Sequence, residues 1–242
     1  SAISDPAAAR MFYYDNFRDG DVLDGNPFNW APSEFFGLPD FEVVNGDLVV
    51  SSTASIGLMI PQVSVFDFEN LSIRSQVRMS ASEGYRIQVA TGDDETITRY
   101  AGGLSVPRLH RPTTAYTNLQ ISGDPIEAVD DISVPLIPHV EDVVLQLDVI
   151  GDAIEFWAWR AGDPMPSGPL GSFTDDQITL PKVGVEVLTA FGGPPVDTLV
   201  MEVRYFAFSD ARIRGDIVPE PTAVSLVLAG IAIISGRRVR HT

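Results

Sequence analysis

Val143-Val144-Leu145-Gln146-Leu147-Asp148-Val149-Ile150, then Gly151-Asp152, then Ala153-Ile154-Glu155-Phe156-Trp157-Ala158-Trp159-Arg160 decides the fold. Val143, Leu145, Leu147 and Val149 take every second place, opposing Val144, Gln146, Asp148 and Ile150. A period of two sends successive side chains to opposite faces of a strand, so one face is apolar throughout. Gly151-Asp152 between two such runs makes a tight turn, and the stretch is predicted as a β-hairpin. On its second arm Trp157 and Trp159 share a face with Glu155, while Phe156 and Ala158 take the other.

The same period extends in both directions. Leu71, Ile73, Val77 and Met79 alternate with Ser72, Arg74, Gln76 and Arg78, with Ser75 the one break in the apolar set. Tyr85, Ile87 and Val89 alternate with Arg86, Gln88 and Ala90. A second hairpin is predicted from Phe41 to Val44, Asn45-Gly46, and Leu48 to Ser51, and late strands from Val183 to Leu188 and Leu199 to Phe208. Loops rich in Gly and Pro separate them, and no βαβ alternation appears. The expected fold is an all-β antiparallel sandwich whose facing apolar rows are driven together by burial, at about 25 cal/mol per Å2.

Composition narrows the partners. The 242 residues carry 33 acidic and 16 basic side chains, a net charge of −17, which repels nucleic acid. With no cysteine, thiol catalysis and Cys-based zinc sites are excluded. No charged, apolar leader precedes Met11, so an export signal is expected either to have been removed or to lie outside this sequence.

Near the C-terminus Pro219-Glu220-Pro221 precedes an uncharged apolar run from Thr222 to Ser235, then Arg237, Arg238 and Arg240. As a helix the run would be about 21 Å long, shorter than a hydrocarbon core of about 30 Å. Arginines after an apolar run hold that end in the cytoplasm. These three parts in order resemble the PEP-CTERM sorting signal of Gram-negative bacteria. The resemblance implies an exosortase as processing partner, a short membrane helix in the tail, and delivery to the cell surface or extracellular matrix, transiently anchored with the C-terminus cytoplasmic. Pro219, Glu220 and Pro221 would be the recognised residues. The body resembles the concanavalin-A-like, laminin-G-type jelly rolls. The resemblance rests on Asp15-Asn16-Phe17 with Asp19-Gly20-Asp21, the hairpin from Val143 to Arg160, Val183-Gly184-Val185, and Thr198 to Ser209. It implies that the first and last strands pair. The expected division is an N-terminal segment (1–10), the jelly-roll sandwich (11–210), a linker (211–217) and the sorting tail with its short hydrophobic helix (218–242).

The residues offer two candidate sites. Asp15, Asp19, Asp21, Asp24 and Asn26 are the densest oxygen-ligand cluster, with Gly20 and Gly25 to turn the backbone, and could hold a structural Ca2+. Trp157 and Trp159, with Tyr100, Tyr116 and Trp30 as further aromatics, could stack on sugar rings of a polysaccharide. Laminarinase-like enzymes on this fold carry Glu-x-Asp-x-x-Glu on one strand, and this sequence has no such spacing. Nor has it a Gly-x-Ser-x-Gly elbow, an HExxH or a P-loop. The sequence therefore reads first as a non-enzymatic exported surface or matrix protein whose jelly-roll domain binds glycan or serves structurally. The alternatives are a polysaccharide hydrolase or lyase on the same fold, and a structural Ca2+-stabilised coat component. The Arg214-Gly215-Asp216 tripeptide reads as a chance occurrence in the linker.

Overall fold

The computed structural model describes residues 11–18, 20, 31–32, 40–52, 56–60, 70–81, 83–93, 98–107, 115–122, 127–129, 132–175, 182–189 and 199–215. The strands are β1 (Met11–Asp15), β2 (Ala31–Pro32), β3 (Asp40–Val44), β4 (Asp47–Ser52), β5 (Ile56–Ile60), β6 (Asn70–Met79), β7 (Tyr85–Asp93) and β8 (Thr98–Val106). They continue with β9 (Ala115–Ser122), β10 (Glu127–Val129), β11 (Ser133–Val134), β12 (Val143–Ile150), β13 (Ala153–Arg160), β14 (Gly171–Thr174), β15 (Lys182–Thr189) and β16 (Leu199–Ser209). No helix occurs among the described residues, and the short helix expected in the tail lies outside them.

The strands form two 8-stranded sheets, and every pairing is antiparallel. The first runs β14-β13-β12-β6-β16-β4-β3, with β1 also on β16; the second runs β10-β9-β8-β7-β15-β5-β2, with β11 on β9. This is the jelly-roll sandwich that the alternation predicts. Both predicted hairpins form. Ile150 pairs with Ala153 across Gly151, whose φ of 61 suits the first place of a type II′ turn. Asn45 and Gly46 have φ of 56 and 86, the left-handed pair of a type I′ turn. The terminal strands also pair, Tyr14 opposite Ala207 and Asp15 opposite Phe206.

Leu71, Ile73, Val77, Val143, Leu145, Leu147, Ile154, Phe156, Val203, Phe206 and Phe208 line the inner face of the first sheet. They meet Tyr85, Ile87, Val89, Tyr100, Leu104 and Leu119 of the second. The two sheets meet tightly at Gly102, where an added Cβ would lie 2.4 Å from the Phe156 ring.

The centre of the first sheet is irregular at one point. Opposite β6 the register of β16 slips between Val203 and Tyr205: Val203 pairs with Val77, but Tyr205 pairs with Gln76. Arg204 is the extra residue of a β-bulge, a device that re-aims side chains. Tyr205 consequently goes with Gln76 to the outer face, and Phe206 returns inward opposite Ser75. The Ser75 hydroxyl, the break in the apolar row of β6, donates to the Tyr205 carbonyl at 3.0 Å.

Candidate functional site

Register brings nine outward side chains of the first sheet into one patch. Val144, Gln146 and Asp148 of β12 stand opposite Trp159, Trp157 and Glu155 of β13. The same three stand opposite Gln76, Arg74 and Ser72 of β6. An outward patch of this kind would ordinarily face water. Here Ser72, Arg74, Gln146 and Asp148 are buried instead, Arg74 to 2% exposure.

The cover is the chain itself. Past Ser209 the residues expected to form a linker lie as a strap across the patch, fastened by side chains of the sheet. The Ile213 N–H donates to Ser72 Oγ at 3.1 Å. The Ile213 carbonyl accepts from Arg74 Nη2 at 2.7 Å and from Gln146 Nε2 at 3.1 Å. The Gly215 carbonyl accepts from Arg74 Nη1 at 2.7 Å. Ile213 is buried.

Two guanidinium groups then cap the two tryptophans. Arg74 lies 5.1 Å from the Trp159 ring centre and gives Nε to Gln146 Oε1 at 2.6 Å. Arg212, from the strap, lies 5.5 Å from the Trp157 ring centre and bridges two carboxylates. Its Nη2 bonds Glu155, and its Nε lies 2.8 Å from Asp148 Oδ2. The second contact is ionic and poorly aligned, since neither atom makes a hydrogen bond. Asp148 Oδ1 accepts from Ser72 Oγ at 2.6 Å and from Gln146 Nε2 at 2.8 Å. Burial nevertheless raises the Asp148 carboxyl above the ordinary 3.8, outweighing these hydrogen bonds and the nearby Arg212.

An open groove adjoins the strap. A cavity of about 390 Å3 is lined by Trp159, Arg74, Asp163, Tyr14, Tyr205 and Gly215 among others. It continues past Tyr14, Gln76 and Tyr205 into a second hollow of about 330 Å3 beside Asn16, Arg18, Asp47 and Arg204. Tyr14 and Tyr205 stack with ring centres 6.0 Å apart and planes at 28°. The far wall is the loop after β13, which returns to the sheet where the Leu170 N–H donates to the Phe156 carbonyl at 2.8 Å. Arg204, the bulge residue, is held by Asp47, by Asp142 at 3.3 Å and by Glu202 at 2.8 Å.

The expected aromatics are dispersed. Trp159 lines the groove. Trp157 is 5% exposed beneath Arg212. Tyr100 is 1% exposed in the core and packs on Phe173 with ring centres 5.9 Å apart, so it presents no face to a ligand. Tyr116 belongs to the second sheet, paired with Ser105 and Ser133, away from this groove. Trp30 lies outside the described residues, as do Asp19, Asp21, Asp24 and Asn26, and Pro219, Glu220, Pro221, Arg237, Arg238 and Arg240. Asp15 is described, and its carboxylate closes its own turn, accepting from the Phe17 N–H at 2.7 Å and the Tyr13 hydroxyl at 2.9 Å. Among the described residues no three His, Cys, Asp or Glu side chains gather as a metal site. Tyr14, Tyr205 and Arg74 are the groove residues, and Arg212 the strap residue, that sequence reading missed. Only the spacing of three between Val203 and Phe206, where two is the rule, signals the bulge that exposes Tyr205.

Fold and groove together define a concanavalin-A-like jelly roll with an aromatic-lined furrow on one sheet. Solved structures bear out the fold. The chain is similar to SCLam, a non-specific endo-β-1,3(4)-glucanase of family GH16, at 13% identity with a TM-score of 0.59. That match covers 85% of this chain and 93% of the glucanase. It is also similar to the catalytic domain of an endo-1,3-β-glucanase (laminarinase) from Thermotoga petrophila RKU-1, at 11% identity and TM-score 0.59, covering 83% and 97% of the two chains. A ganglioside-interacting botulinum neurotoxin type C matches at 11% identity and TM-score 0.53, over 91% of this chain and 51% of the toxin. No family model matches the sequence, and no curated protein matches it. These likenesses correct the expectation of a non-enzymatic protein. Structures sharing the fold include endo-glucanases, so the fold gives no ground for calling the protein non-enzymatic.

Proposed function

We propose that this protein binds a neutral polysaccharide along the groove and hydrolyses it with Asp148 and Glu155. The observation that carries the reading is the directly opposed carboxylate pair on the face that also holds Trp157, Trp159, Tyr14 and Tyr205. Opposed residues of an antiparallel pair have Cβ atoms about 5 Å apart, which lets their carboxyl groups reach the separation used by retaining glycosidases. Aromatic rings beside them offer faces on which sugar rings stack. With residues 210–215 in place, burial keeps the Asp148 proton to a higher pH than an ordinary carboxyl. In the first step that proton passes to the departing glycosidic oxygen while the Glu155 carboxylate bonds to the anomeric carbon. In the second, the Asp148 carboxylate takes a proton from water, whose oxygen displaces Glu155. The net charge of −17 repels uronate-rich and sulfated polymers and favours neutral ones. β-1,3(4)-Glucans are the first substrates to try, because glucanases share the fold.

The test is glucan binding together with release of reducing ends. The intact chain is expected to bind and to release reducing ends slowly. Tyr14→Ala and Tyr205→Ala each weaken binding about fivefold to tenfold. Asp148→Asn and Glu155→Gln abolish release and keep binding. Failure to bind any neutral glucan, or release that survives both carboxylate variants, sinks the reading. We further propose that the chain is exported and that the segment from Pro219 to Arg240 is a sorting tail trimmed by an exosortase. The proline-acid-proline break, the apolar run and the arginine cluster support it. A mature C-terminus found intact by mass spectrometry would count against that proposal.

A further inference from the structure

We propose that residues 210–215 are a displaceable cover that holds the hydrolytic pair shut, with Arg212 as its latch. The proposal rests on the hydrolase reading and concerns how that site is regulated.

The strap is attached differently from every strand beneath it. The main-chain ladder of β16 stops at Ser209, opposite Ser72 of β6 and Met11 of β1. Beyond it the strap is fixed by the side chains of Ser72, Arg74 and Gln146 and by the buried side chain of Ile213. Such fastenings can be released without unzipping a sheet.

Arg212 occupies both places a substrate needs. Its guanidinium spans Asp148 and Glu155, blocking the nucleophile and the acid together. The same group lies over the Trp157 ring, the surface on which a sugar would stack. Gly215 forms part of the wall of the open cavity, and its carbonyl and that of Ile213 hold Arg74 in place over Trp159. Lifting the strap therefore joins the groove to the carboxylate pair, frees Trp157, and releases the two carbonyl bonds that hold Arg74 over Trp159. It also removes the cation that spans the two carboxyl groups and opens both to substrate. A sugar chain seated in the groove and on Trp157 binds the open form alone, so substrate itself shifts the population toward opening.

The test compares full-length wild type with Arg212→Gln and, in case that variant folds poorly, with Ile213→Ala. Glucan binding, release of reducing ends and trypsin cleavage within the strap are measured on each. Either variant should raise the hydrolysis rate about tenfold, as expected when a dominant closed state is relieved. Adding Asp148→Asn should return the rate to background. Glucan oligosaccharide should speed trypsin cleavage of wild type after Arg212. The cover is overturned if a folded variant binds glucan as wild type does, is cut faster by trypsin, and hydrolyses no faster. It is overturned equally if glucan protects Arg212 from trypsin. If neither wild type nor variants bind glucan, the hydrolase reading itself fails and the cover with it.

Discussion

Phe156 and Trp157 are neighbours on one strand, yet they are buried by different physics. Phe156 points inward and is closed over by shape: Gly102 of the facing sheet leaves no room for a Cβ against its ring. Trp157 points outward and is closed over by charge, beneath a guanidinium that also binds Asp148 and Glu155. Close-packed apolar contacts have no switch short of unfolding. Ion pairs and hydrogen bonds to a strap respond to pH, to competing ligands and to single substitutions. One sheet thus carries a permanent face and a conditional one.

The largest effect should come from the permanent face. Phe156→Ala empties a tight contact between the sheets and should cost about 3–5 kcal/mol, read as a fall in the denaturant midpoint. A cost under about 1 kcal/mol would show that the two sheets can collapse onto the gap and would break the contrast.

Arg74→Met comes next. The aliphatic chain keeps much of the volume, but Gln146 Oε1 and the Gly215 carbonyl lose their donor, and the Ile213 carbonyl loses one of its two. The expected cost is about 2–3 kcal/mol, with faster proteolysis in the strap while the core stays intact. Loss that unfolds core and strap together would instead make the outer face as permanent as the inner.

The smallest effect is a pH dependence. Burial raises the Asp148 carboxyl above its ordinary 3.8 in the folded chain. From that ordinary value upward to the raised one, the folded state holds more protons than the unfolded state. Stability from this group is therefore fullest at or below the ordinary value and falls as pH rises through the window. Asp148→Asn should flatten that slope in melting curves run from about pH 4 to about pH 7. An unchanged slope would mean that the Asp148 carboxyl does not change protonation across the window.

The two hairpins were legible in the sequence because their turns and their alternation agree. Gly151-Asp152 and Asn45-Gly46 fix register locally, and each flanking run has a single apolar row. The strap was not legible. Residues 211–215 hold one large apolar side chain, Ile213, between two arginines, a composition that suits a solvated linker equally well. Its role depends on Ser72, Arg74 and Gln146, and the first two lie about 140 positions back along the chain, 141 from Ser72 to Ile213. The tyrosine pair was hidden for a related reason. Tyr14 and Tyr205 meet only because β1 pairs with β16 and because Arg204 is inserted as a bulge.

By itself the sequence determined the strand class, the inward rows and the tight turns, because a period of two and turn chemistry act over a few residues. Tertiary structure alone decided which outward residues share a face with which, and that a charged segment folds back over two tryptophans. Those outcomes depend on sheet order and on one slipped register, which contacts far apart along the chain settle together.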